Sequence, residues 1–145
     1  MFSRLAFIRI LGLLLAPAPA VFLPAAPRAF AEQTVFDAGI KQSIISATGH
    51  GENSIEVATN AIQIMVTVVN SDLNNSLVTH ADREADAVRI VDAIIAALKG
   101  KPAYDSLLAI HIDYVSRETN TAHSRVVDAI DYRRDAKGGF ELHKT

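Results

Sequence analysis

The stretch Ser54-Ile-Glu-Val-Ala-Thr-Asn-Ala-Ile-Gln-Ile-Met-Val-Thr-Val-Val-Asn70 decides how this chain folds. Ile55 and Val57 alternate with polar residues, which predicts a strand over 54–59 with one buried face. Asn60 suits a tight turn. From 61 to 70 the alternation returns, with Ile62, Ile64, Val66 and Val68 on one face. Met65 and Val69 make the opposite face apolar too, which predicts an interior position in a sheet. The two runs together predict a β-hairpin.

Working forward, 70–76 is a polar loop and 79–99 is the best helix in the chain. Thr79 and Asp82 stand as a capping box, and Asp82, Glu84 and Asp86 put negative charge where the helix dipole favours it. Val88, Val91, Ile95 and Leu98 predict the apolar stripe, widened by Ile94 and Ala87, with Arg83, Arg89 and Asp92 on the exposed side. Gly100 and Pro102 stop the helix. Strands are predicted at 107–116 (Ile110, Ile112 and Tyr114 inward) and at 125–134 (Val126, Ile130 and Tyr132 inward). A short final strand is predicted at 140–143. Working backward, Phe36, Ile40, Ile44 and Ala47 predict a helix over 33–48, capped by Thr34 and ended by Gly49. The fold class is therefore α+β, in the order α-β-β-α-β-β, an antiparallel or mixed sheet with two helices on one face.

The N-terminal 31 residues differ from the rest. They hold four of the five prolines (Pro17, Pro19, Pro24 and Pro27), two early arginines (Arg4 and Arg9) and an apolar run from Ile10. Ala29-Phe30-Ala31 places small residues where a signal peptidase requires them, so cleavage is expected before Glu32. The prolines interrupt the helix that a membrane anchor needs. Residues 1–31 are read as a signal peptide and 32–145 as a single α+β domain, periplasmic or secreted. The domain has eleven basic against sixteen acidic residues, a net charge of −5. That balance disfavours nucleic acid as a partner. The chain has no cysteine, which excludes disulfides, thiolate metal sites and a thiol nucleophile.

The quoted strands, the helix from His80 and Ala109-Ile-His-Ile-Asp-Tyr114 resemble the BON domain in their order of elements, over about residues 40–114. The resemblance implies an exported bacterial domain associated with envelope stability and phospholipid binding. The chain departs from that family at Asn60-Ala61 and at Leu107-Leu108, where the family carries a glycine and Gly-Val. It also continues beyond Tyr114. The ending, Gly138 or Gly139 with Phe140 and His143, is similar to that of small exported bacterial proteins, which implies location rather than activity.

No cofactor motif, serine-nucleophile motif or phosphate loop is present, and no enzyme activity or cofactor is expected. The most pointed residues are His111 and Asp113, which share a strand face. One register of the last two long strands sets His111 opposite Asp131 and Ala109 opposite Arg133. That face is a candidate ligand or metal site, or else a solvated face of cross-strand charge pairs. Asp128 and Asp131 could in principle serve as acid and base. Arg133, Arg134 and Lys137 form a candidate anion-binding patch flanked by Tyr132 and Phe140. His50, between glycines, is expected to be exposed. The sequence favours an envelope binding or interaction module whose partner is another envelope protein or a second copy, engaged through a sheet edge (54–59 or 140–143) or the exposed sheet face. Lipid or glycan binding is the alternative.

Overall fold

The computed structural model describes residues 26–121 and 123–144, with side chains from residue 32 onward. Most of the expected signal peptide, residues 1–25, lies outside the described residues. The described elements are α1 (Ala26–Thr48), β1 (Ile55–Thr59), β2 (Gln63–Val69), α2 (His80–Leu98), α3 (Pro102–Ser106), β3 (Ala109–Arg117), β4 (Ser124–Arg134) and β5 (Phe140–His143). The strands form one five-stranded sheet in the order β1-β2-β3-β4-β5. The β2–β3 pair is parallel, joined by the crossover through α2, and the other pairs are antiparallel. The class is α+β with a mixed sheet.

α1 is already helical at Ala26, the first described residue, rather than beginning at the expected Gln33, so Thr34 lies inside the helix and does not cap it. Ala26, Ala29 and Ala31 favour helix, so the helical run is not confined to the apolar period that begins at Phe36. Ile40 and Ile44 are buried, whereas Ala47 is exposed. At the other end Gly49 adopts φ 78° and donates to the Ile45 carbonyl at 2.9 Å, an αL cap that L side chains resist.

α2 has the expected capping box: the Asp82 amide donates to Thr79 Oγ1, and the Thr79 amide to Asp82 Oδ2. Thr79→Ala is expected to lower stability by about 1 kcal/mol, read as a shift in urea midpoint at unchanged slope. The buried stripe is Ala87, Ile90, Val91, Ile94 and Leu98, one residue round from the expectation, and Val88 is 47 % exposed. Arg83 and Asp86 belong to this buried side, and Arg83 is not on the exposed face where the pattern placed it. A hydropathy stripe cannot register two charged residues at its own spacing.

In the sheet, Ile55, Ile64, Val66, Val68, Ile110, Ile112, Tyr114, Ile130 and Tyr132 face the helices and form the core. β2 is interior, as its two apolar faces require. Ile62 falls before β2 and is 52 % exposed, and Val126 is 56 % exposed, so neither joins the core face expected for it. For Val126 the cause is a register shift. Tyr114 pairs with Asp128 but Val115 with Val126, leaving Val127 as the extra residue of a β-bulge. The bulge moves Val126 to the face away from the helices, while Asp128 shares the helix-side face of Ile130 and Tyr132 by simple alternation. Leu107 stays buried but caps α3 instead of starting β3.

Candidate functional site

On the open face, β3 and β4 pair so that His111 lies opposite Asp131 and Ala109 opposite Arg133. His111 Nδ1 is 2.7 Å from Asp131 Oδ1, and its Nε2 is 3.0 Å from Asp113 Oδ1. The two carboxylates therefore grip opposite edges of one ring. In its imidazolium form the ring donates from both nitrogens and has no lone pair for a metal, and the carboxylates diverge from any common point. Among the described residues no group of three or more His, Asp or Glu side chains could hold a metal ion. Partial burial works against the charged ring, but the hydrogen bonds and charges of Asp131 and Asp113 outweigh it and raise the His111 pKa.

His80 is a second raised histidine, through its hydrogen bond to Asp128 Oδ2 at 2.8 Å and its contact with Glu84 at 3.2 Å. Raised histidines contribute stability that is complete below their unfolded value of about 6.5 and is lost as pH rises through the folded value. Asp86 and Glu56 are lowered, so their contribution is complete above about 4 and is lost as pH falls through their folded values. The pH–stability curve is therefore expected to peak between about 4.5 and 6.5 and to decline toward 8. In His111→Gln the decline on the alkaline side should be shallower. Urea midpoints measured across pH check both statements.

The candidate anion patch is not assembled. Arg133 and Arg134 are consecutive on β4, so they point to opposite faces. The Arg134 guanidinium lies 4.8 Å from the Tyr104 ring centroid and 5.8 Å from that of Phe140, and it donates to the Tyr104 and Leu107 carbonyls. It anchors α3 to the sheet. Arg133 lies opposite Glu141, and Lys137 is in the exposed turn after β4. Asp128 and Asp131 are likewise separated: Asp131 is on the open face, while Asp128 contacts His80 and Arg83 under α2. They cannot act on one atom as an acid–base pair.

A polar network that the sequence reading missed lies between helices and sheet. Asp86, 1 % exposed, accepts from His50 Nε2 at 2.9 Å, Tyr114 OH at 3.0 Å and Arg89 Nη2 at 2.9 Å. His50 is accordingly tucked in, with a side chain 12 % exposed, rather than free in its glycine turn. Burial, and then the neighbouring Asp86 charge, hold the Tyr114 hydroxyl well above the usual tyrosine range, so it stays a neutral donor. Arg83 donates through Nε to the Leu73 carbonyl at 2.8 Å and through Nη2 to that of Asn75 at 3.1 Å, and it reaches Asp128 at 3.4 Å. Asn74 ties the parallel strands by donating to the Val68 and Val115 carbonyls. No buried side-chain N or O among the described residues lacks a partner, which marks this network as structural.

The remaining feature is an edge. β5 pairs only with Asp131–Arg134, so 124–130 of β4 has no strand on its outer side among the described residues. Where β5 stops, a cleft of about 450 Å³ opens between His80, Glu84, Ala129, Asp131, Leu142 and Lys144. Asp128 Oδ1 accepts from the Ala129 amide at 2.9 Å, while its Oδ2 is held by His80 and Arg83. No family model, no curated protein and no solved structure matches this chain.

Proposed function

We propose that this protein is an exported interaction module that joins a second copy of itself by strand addition along β4. The observation behind the reading is the difference in length between β4 and β5. Eleven residues of β4 meet four of β5, and the uncovered row of main-chain groups is a template for another strand. β1 and β5 also have one strand neighbour each. β5 is short, however, and the end of β1 is covered by Gln33, which donates to the Thr59 carbonyl.

The uncovered stretch complements itself. Antiparallel pairing about the point between Val126 and Val127 sets Val126 opposite Val127 of the other copy. Such β-branched pairs are among the cross-strand contacts that stabilise a pairing of this kind. The bulge and the Asp128 cap on Ala129 disfavour indiscriminate edge contacts, so a matched strand is preferred. An envelope setting is supported by the basic-then-apolar N-terminus ending in Ala29-Phe30-Ala31 and by the BON-like order of elements. No helix among the described residues is long and apolar enough to cross a membrane.

Sedimentation of the protein from low micromolar to near-millimolar concentration tests the reading. The wild type should pass from monomer to dimer, and Val126→Lys, a change at an exposed position, should weaken the dimer about tenfold. A wild type that stays monomeric throughout contradicts self-association and leaves an envelope protein as the partner to seek.

A further inference from the structure

Gly39 stands inside α1, where a glycine lowers helix stability relative to alanine. The usual reason for such a glycine is a neighbour too close for a Cβ. Here a Cβ would meet nothing within 4 Å. What the missing side chain preserves is space. Gly39 lines a cleft of about 680 Å³ whose other walls are Val35, Phe36, Ile40, Ala97 and Leu98. That volume lies within the range of small-molecule sites.

We propose that this cleft binds a long-chain fatty acid, with the hydrocarbon along α1 and the carboxylate at Lys101. Three features support this occupant. Val35, Phe36, Ile40, Ala97 and Leu98 make most of the lining apolar, with Glu32, Ser43 and Lys101 its polar members, so the part lying along the apolar walls is hydrocarbon. The cleft follows α1 from Glu32 to Ser43, roughly 16 Å at the helical rise, which suits an extended chain rather than a compact ring. At its rim Lys101 is exposed and makes no ion pair among the described residues, so it is available to a carboxylate. Glu32 stands at the same rim. Val35, 73 % exposed at the mouth, gains a partner when a chain enters.

The test is an amide NMR titration of the purified protein with oleate below its micellar concentration, beside oleyl alcohol and a short-chain carboxylate. Oleate should shift Val35, Gly39, Ala97 and Lys101, and the short acid should not. Gly39→Ala should keep binding and raise Tm. Gly39→Leu, which fills the cleft, should weaken oleate binding at least about tenfold while Tm holds. Lys101→Glu should weaken oleate but leave oleyl alcohol unchanged. Oleate binding that is unchanged in Gly39→Leu, shifts confined to other surfaces, or no shift with any chain overturns the proposal. Dimerisation through β4 is read separately by sedimentation, so either idea can fail alone.

Discussion

Asp86→Ala is expected to lower the unfolding free energy by about 3 kcal/mol, one of the two largest losses among the polar substitutions in this chain. Asp86 is 1 % exposed and is the common acceptor for His50, Tyr114 and Arg89. Alanine removes the acceptor and leaves the donors behind. Arg89 is exposed and can turn to water, and Tyr114 still reaches the Arg83 carbonyl at 3.0 Å. His50 cannot recover so easily, because its side chain is 12 % exposed and its loop is tied to α2 through Asp86 alone in that network. The loss should therefore appear both in the urea midpoint and as faster hydrogen exchange around 49–51. A double cycle with His50→Gln should show coupling of at least about 1 kcal/mol. If Asp86→Ala costs less than about 1 kcal/mol, the carboxylate is not the tie described here.

Arg83→Met is expected to cost about 3 kcal/mol, for a different reason. Methionine replaces most of the buried stem, so little packing is lost. The loss is in donors: the Leu73 and Asn75 carbonyls lose their partner, and Asp128 keeps only His80 and the Ala129 amide. The loop over 71–79, which connects β2 to α2, should exchange faster by hydrogen exchange while the β2–β3 pair stays protected. Arg83→Lys should rescue only part of the loss, since one ammonium cannot span both carbonyls and Asp128 as the guanidinium does. A Lys variant as stable as wild type would contradict the assigned contacts.

The sheet and its two principal helices were legible because their apolar residues recur with the right period. Ile64, Val66 and Val68 alternate and are buried, and the double apolar face of β2 correctly marks it as interior. What was not legible has one physical origin in each case. The helix over 26–32 was hidden because Ala29-Phe30-Ala31 suits the end of a leader as well as a helix. The helical stripe was misjudged by one position because its first two buried members, Arg83 and Asp86, are charged. The partners of His50 and Asp128 were hidden because neither a histidine in a glycine turn nor an aspartate on a strand carries a local signal of a partner far away in sequence. His50 meets Asp86 across 36 residues, and Asp128 meets His80 across 48. Tyr114 was the one available clue: a tyrosine on a core face needs a partner for its hydroxyl. The His111 cluster was readable because strand spacing and one register suffice to place it. Its divergent grip on a single ring was not, since that depends on side-chain rotamers.

The most direct measurement on the proposed strand addition is hydrogen exchange of the β4 amides at rising protein concentration. If a second copy adds along the uncovered edge, amides within 124–130 slow as the concentration rises, while those of 131–134, already paired with β5, stay as they were. Val126→Lys should cancel the slowing. Exchange within 124–130 that stays the same from the lowest concentration to the highest, in a chain that remains folded, contradicts it.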